Sequence, residues 1–179
     1  MTHVRVEVEK STKSVMENNQ YLHEVVITAI IVKDGRYLIT RRALTKKRFP
    51  GMWTVPGGRL DTEDYLALPK DTEHYWYNVL ERALRREVQE ETGIEIEHIV
   101  YVTSLATVHA DGAPSLVISC LADYVSGEVK LQEGETDQAV WVNLEEAKDY
   151  QLLDGIYEEL VMADKLRLGQ RMEWQRQEV

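Results

Sequence analysis

Apolar and polar positions along this chain recur in patterns that predict most of its elements before any chemistry is considered. Val25 to Val32 is an apolar run interrupted only at Thr28, of a length that suits a strand covered on both faces. Asp34-Gly35 is the kind of pair that folds such a strand back as a tight hairpin, so Tyr37 to Arg41 is expected to return beside it. The basic stretch Lys46-Lys47-Arg48 then leads through Phe49-Pro50-Gly51-Met52 to a short strand, Trp53 to Val55. Pro56-Gly57-Gly58 is expected to forbid regular structure and to bring bare backbone close to its neighbours.

Residues 59–71 are acidic and read as irregular. A helix is expected from there, with Asp71 or Thr72 as N-cap, Tyr75, Val79, Ala83, Leu84 and Val88 as its apolar stripe, and Gly93 as its stop. Two strands follow, near Glu97 to His109 and Ser115 to Tyr124, joined through Asp111-Gly112-Ala113-Pro114. A short strand over Ala139 to Val142, a helix from Leu144 and another over about Leu152 to Leu168 complete the pattern. Near the start, Val4, Val6 and Val8 alternate well enough for an edge strand, and Glu17 to Gln20 reads as a turn. Strands and helices mix without a regular βαβ repeat, so an α/β or α+β fold with a mixed sheet fits better than a doubly wound one.

A chain of 179 residues is long enough for one well-buried core, and one domain is the default. The opening residues alternate charges with valines and show no apolar signal core, so a soluble cytoplasmic protein without a membrane partner is expected. Cys120 is the only cysteine and sits in a strand-like run, which makes it a buried structural thiol. A formal charge of -10 disfavours nucleic acid polymers, whose backbones are bound by lysine and arginine. An anionic ligand would need a cation as mediator.

The chemistry concentrates in Arg85-Arg86-Glu87-Val88-Gln89-Glu90-Glu91-Thr92-Gly93-Ile94. On a helix, Glu87, Glu90 and Glu91 lie on one side and repel one another. Mg²⁺ prefers oxygen ligands and would relieve that repulsion, with Mn²⁺ able to substitute. Taken alone, the same run also reads as a solvated helix face whose arginines pair with neighbouring glutamates, each pair contributing roughly 0.2–0.5 kcal/mol.

With Trp53-Thr54-Val55-Pro56-Gly57-Gly58 before it, this part of the chain resembles the Nudix hydrolases. Arg86, Glu87, Val88, Glu90, Glu91, Gly93 and Ile94 match the second half of that family's box, and Gly58 matches its opening glycine. Asp64 stands where the family has glutamate. Gly58 and Arg86 lie 28 positions apart where the box has 14, so an insertion separates loop from helix, and Asp64, Glu73 and Glu81 are all candidates for the displaced glutamate's role.

The resemblance implies an α/β/α sandwich around a mixed sheet and Mg²⁺-dependent cleavage of a diphosphate linked to another moiety. It divides the chain into an extension over 1–20, a catalytic unit over 21–163 with its insertion near 59–78, and a charged tail over 164–179. It implies Glu87, Glu90, Glu91 and the carbonyl of Gly57 as metal ligands, Arg86 as the group that orients carboxylates, and Glu87 or Glu91 as holder of the attacking water. Glu133 and Glu135, in the loop expected to face the box, are candidates for a supplementary base, against the reading of an acidic surface turn. Arg41 and Arg42 are candidates for the substrate's phosphates, Phe49 and Trp53 for its base, and Gly58 for close backbone approach. His109 is more simply a peripheral or core histidine.

A small phosphorylated substrate, a nucleoside triphosphate ahead of nucleotide sugars and dinucleotides, is the expected ligand. A catalytically weak nucleotide-binding or regulatory protein on the same scaffold is the rival, favoured if the insertion moves Gly57 and Gly58 away from the acidic helix. Isopentenyl diphosphate isomerase shares the fold, but Cys120 is far from hairpin and box in the sequence. The aromatic insertion reads equally as a lid, a homodimer contact or a local cap.

Overall fold

Asp34 and Gly35 both take positive φ, 50° and 74°, the pair of left-handed conformations that turns one strand tightly onto the next. They join β1 (Glu24–Lys33) to β2 (Arg36–Arg42), as the sequence predicts. The computed structural model describes residues 21–175, so the edge strand and turn expected within 1–20, and the end of the tail, lie outside the described residues. Along the chain follow β3 (Trp53–Thr54), β4 (Gly57–Arg59), α1 (Glu63–Leu66), α2 (Val79–Thr92), β5 (Glu95–Val108), β6 (Pro114–Ser126), β7 (Thr136–Val142), α3 (Leu144–Ala147) and α4 (Ile156–Arg167).

The strands form one mixed sheet in the order β3-β2-β1-β6-β5, with β4 paired to β1 and β7 to β2. Among the described strands, β1 and β6 are the one parallel pair. Alternation along β1 explains its unbroken apolar run. Ile27, Ala29 and Ile31 pack with Leu84 and Val88 of α2, while Ile30 and Val32 pack with Leu160 and Ala163 of α4. Each face of the sheet is thus covered by a helix, giving an α/β/α sandwich. Cys120 is buried on the α2 side, and burial raises its thiol pKa to about 11, in keeping with a structural role. Among the described residues no helix is long and apolar enough to cross a membrane.

The sheet opens where it matters. β1 pairs with β2 at Val32↔Tyr37 and Lys33↔Arg36, beside the turn. Further along, Val26 to Thr28 pair instead with Arg59 to Gly57 of β4, and the Ala29 N–H donates to the Pro56 carbonyl at 2.8 Å. Pro56-Gly57-Gly58 was expected to exclude regular structure, yet its glycines form β4. A Cβ on Gly57 would meet the Ile27 carbonyl oxygen at 2.3 Å, so the bare backbone is what lets this strand lie against β1.

Three helical expectations also need correction. α2 starts at Val79, not near Asp71, because Asp71 is used by the preceding loop. Its carboxylate accepts the Tyr77 N–H at 2.8 Å and its own N–H donates to the Tyr75 carbonyl at 3.0 Å. Tyr75 is therefore exposed and not part of the helix stripe. Trp76 folds back so that its Nε1 donates to the Leu68 carbonyl at 3.0 Å and its ring meets Tyr65. The helix expected from Leu144 is a single turn capped by Asn143, whose side chain accepts from Glu145 and Glu146. The long C-terminal helix begins only at Ile156, after Gly155.

Candidate active site

Helix α2 carries Ala83, Leu84, Val88 and Thr92 on its buried side, and Glu87 and Glu91 sit at the margin of that stripe. Their carboxylates therefore cannot reach bulk water freely and meet β4 instead. Gly93, with φ 70°, ends the helix through its N–H to the Gln89 carbonyl at 2.9 Å.

Gly57 donates its N–H to Glu91 Oε2 at 3.0 Å. Gly58 lies so close to Glu87 that a Cβ there would stand 2.1 Å from the carboxyl carbon. Gly57 and Gly58 thus both touch the acidic helix despite the insertion between loop and helix in sequence.

Arg86 organises the other side. Asp64 accepts from its Nε at 2.5 Å and from Nη2 at 3.1 Å, Glu90 accepts from Nη1 at 2.9 Å, and Glu87 Oε1 is 3.0 Å from Nη2. Of the three candidates for the displaced glutamate, Asp64 is the one that reaches the arginine. Arg86 holds the Asp64 carboxyl below its usual pKa.

Glu91 behaves differently. Burial, reinforced by Glu87 and Glu135, raises its pKa to about 7 against the lowering effect of the Gly57 amide and Arg42. Glu87 is also shifted upward, by burial first, although Arg86 opposes the shift.

These groups line one large cleft of about 1870 Å³, well above the ~300–1,000 Å³ of ordinary small-molecule sites. Arg42, Phe49, Gly57, Gly58, Asp64, Arg86, Glu87, Glu90, Glu91, His109 and Glu135 all line it. Arg42 lies near Glu91 and Glu135, and its Nε donates to the Arg48 carbonyl at 3.0 Å. Glu135 forms an ion pair with Lys46. Phe49 is half-exposed and meets His109 edge-on at 6.3 Å, and His109 shares a 2.9 Å hydrogen bond with Ser115.

Other candidates fall elsewhere. Arg41 points away, bound to Asp137 at 2.7 and 2.9 Å, and is not among the lining residues. Trp53 packs on Tyr150 at 4.8 Å in the α4-side core and does not line the cleft; nor does Glu133. The alternation of β2 explains the split between the arginines, since neighbours on a strand face opposite ways.

Among the described residues no three histidine, cysteine, aspartate or glutamate side chains are already gathered at ligand spacing. Glu90 leans on Arg86 and Glu91 on the Gly57 amide. The residues still suit a hard divalent cation. The donors are oxygens, and a positive charge between Glu87 and Glu91 would relieve the shift that burial imposes on both.

The sequence reading missed a second polar group in the same cleft. Thr28, Ser119 and Glu159 line it, and Glu159 is only 2% exposed. The signal was available: Ile156, Glu159, Leu160 and Ala163 form the buried stripe of α4, so Glu159 is a carboxylate in an apolar position. The buried hydroxyls of Thr40 and Thr136 also line the cleft, without a hydrogen-bond partner among the described residues.

Comparison with known proteins agrees with this geometry. The family model for the NUDIX domain matches residues 22–161, and the chain belongs to the Nudix hydrolase family. It is 36% identical over 126 residues to the NAD-capped RNA hydrolase NUDT12 of Homo sapiens, covering 70% of this chain and 23% of that protein. The chain thus spans under a quarter of that relative's length. It is 31% identical over 137 residues to the nucleoside triphosphatase NudI of Escherichia coli K12 / DH10B, covering 71% of this chain and 86% of that one. The MutT NUDIX hydrolase of Burkholderia pseudomallei has a similar structure, with a TM-score of 0.61 and 27% identity over 79% of this chain and 98% of its own.

Proposed function

We propose that this protein is a divalent-metal-dependent hydrolase that cleaves the pyrophosphate linkage of a nucleoside triphosphate or a related nucleoside diphosphate derivative. The observation that carries the reading is the contact of Glu87 and Glu91 with Gly57 and Gly58 at the wall of a cleft with volume enough for such a ligand. Similarity to a nucleoside triphosphatase over 86% of its length favours the triphosphate over an RNA cap, since the match to a capped-RNA hydrolase covers 23% of that protein.

Glu87, Glu90, Glu91 and the Gly57 carbonyl would hold Mg²⁺ or Mn²⁺. When bound, the ion supplies charge neutralisation for the phosphates and acidifies water. The chain's own groups do the rest. Arg86, fixed by Asp64, sets the direction of Glu87 and Glu90. Arg42 adds a permanent positive charge for the phosphate chain. Glu135, across the cleft, is the supplementary base, and Phe49 offers an exposed ring to the substrate's base. The rival reading, a catalytically weak binder, requires the insertion to part loop from helix, and the 3.0 Å contact of Gly57 with Glu91 speaks against it.

Hydrolysis of a panel of nucleoside triphosphates and nucleoside diphosphate derivatives by the full chain, in ¹⁸O-water with Mg²⁺ or Mn²⁺, tests the proposal. Release of phosphate or pyrophosphate with one ¹⁸O incorporated at the cleaved phosphorus is expected. Absence of cleavage across the whole panel with either metal would overturn it.

A further inference from the structure

Glu159 sits where a carboxylate is costly. It lies on the buried stripe of α4, 2% exposed, and among the described residues no lysine, arginine or histidine pairs with it. Its hydrogen bond comes from Ser119 Oγ, which donates to Oε2 at 2.7 Å. Thr28 Oγ1 in turn donates to Ser119 Oγ at 3.2 Å. The Ser119 proton is thus directed at the carboxylate and the Thr28 proton at Ser119, so the carboxylate acts only as an acceptor here and has lone pairs left for further donors. Burial and the neighbouring Glu158 shift its pKa upward, as expected for a carboxylate short of partners.

All three side chains lie in the wall of the large cleft, Thr28 half-buried and Ser119 and Glu159 almost covered. Their place in it is set by strand alternation. Cys120 and Ala122 pack on the α2 side of the sheet, whereas Leu121, two residues from Ser119, packs on the α4 side. Ser119 accordingly shares the α4 side with Glu159, across the sheet from Glu87 and Glu91. One cleft is lined by both groups, Glu87 and Glu91 on one side and Ser119 and Glu159 on the other. A ligand whose phosphates lie at α2 would extend its other end toward Glu159.

We propose that Glu159, positioned by Ser119 and Thr28, is the hydrogen-bonding group that reads the edge of the substrate's base and selects guanine. The inference rests on the nucleotide reading above. An ionised carboxylate offers two acceptor oxygens and no donor, so it matches an edge bearing adjacent donors. Guanine alone among the common bases has that edge, its ring N1–H beside its N2 amino group. Adenine and cytosine set one donor beside a ring-nitrogen acceptor, and uracil sets its N–H between two carbonyls. A mismatched base would leave the buried carboxylate facing an acceptor, a penalty large enough to discriminate.

Guanosine, inosine, adenosine and uridine triphosphates are compared as substrates of the full chain with Mg²⁺, using wild type, Glu159→Gln and Ser119→Ala. Inosine lacks only the N2 amino group. The expected wild-type preference for guanosine over inosine in kcat/KM is at least about tenfold, carried mainly by KM. In E159Q the ratio is expected to fall to within about threefold of unity, with adenosine gaining relative to guanosine, because the amide replaces an acceptor by a donor. S119A should shift the ratio in the same direction by less. Thermal unfolding of each variant is measured alongside, and if E159Q does not fold, S119A carries the comparison. Cleavage of nucleotides with base ratios unchanged in the folded variants overturns this proposal and leaves the hydrolase reading standing. Absence of nucleotide cleavage by wild type overturns the hydrolase reading itself.

Discussion

Asp64 holds Arg86 through two hydrogen bonds, at 2.5 and 3.1 Å, and so ties the insertion to the acidic helix. The Asp64 side chain is 5% exposed while that of Arg86 is 35% exposed, so the pair is shielded on one side only. Asp64→Asn is expected to cost about 1–2 kcal/mol at neutral pH, measured by urea unfolding, after discounting for the wet side of the arginine. The sign with pH follows from the lowered pKa. The pair's contribution is present above the ordinary aspartate value of 3.8 and is lost as pH falls through the lower folded value. The gap between wild type and variant should therefore close in acid. Turnover should fall by roughly tenfold as Arg86 loses its anchor.

Gly57 and Gly58 should separate stability from activity. A Cβ on Gly57 would meet backbone, the Ile27 carbonyl oxygen at 2.3 Å and the Thr28 Cα at 2.6 Å, at a φ of +152°. Gly57→Ala is expected to lower stability by roughly 2 kcal/mol or more. The three atoms nearest a Cβ on Gly58 all belong to the end of the Glu87 side chain, which can swing away. Gly58→Ala should keep a near-native melting temperature and lose turnover, because it displaces a proposed ligand.

Much of this architecture could be read from the chain. The hairpin at Asp34-Gly35, the paired faces of β1 and the stop at Gly93 follow from local rules that the tertiary structure leaves intact. The start of α2 did not, because Asp71 has the chemistry of an N-cap but spends its carboxylate on Tyr77 and Arg82 in a loop. β4 was hidden because glycine is a poor strand former, and its pairing depends on contact distances that only the fold supplies. At the site, the motif singled out Glu87, Glu90, Glu91 and Arg86; the fold sets Glu87 and Glu91 against Gly58 and Gly57 and ties Glu90 to Arg86. Arg41 and Trp53 were inseparable in sequence from neighbours that do line the cleft, since one step along a strand reverses the side chain. Glu159 belongs to no motif and shows only as a charge on an apolar stripe.

Glu159 also makes a prediction about stability. Its folded pKa is raised above the ordinary glutamate value of 4.5, so ionising it weakens the fold. Stability from this group is fully present below that value and is lost as pH rises through the folded one. Glu159→Gln should be less sensitive to pH than wild type in chemical denaturation, gaining on it as pH rises. A difference that stays constant with pH would show that burial does not perturb the group.

The carboxylates of α2 should not be equivalent. Glu90 is 48% exposed and bound to Arg86, whereas Glu91 is enclosed beside Gly57 and Arg42. Glu91→Gln is expected to reduce turnover by roughly a hundredfold or more, and Glu90→Gln by less. Chelation of the metal should abolish turnover, with Mg²⁺ or Mn²⁺ restoring it. Steady-state rates of both variants across a metal titration check this order.

Binding of Mn²⁺, followed by electron paramagnetic resonance with a nonhydrolysable nucleotide present, tests the role given to Glu87 and Glu91 most directly. Wild type is expected to bind the ion, and the double variant Glu87→Gln/Glu91→Gln to lose that binding while remaining folded. Equal Mn²⁺ affinity in the folded double variant would contradict the account.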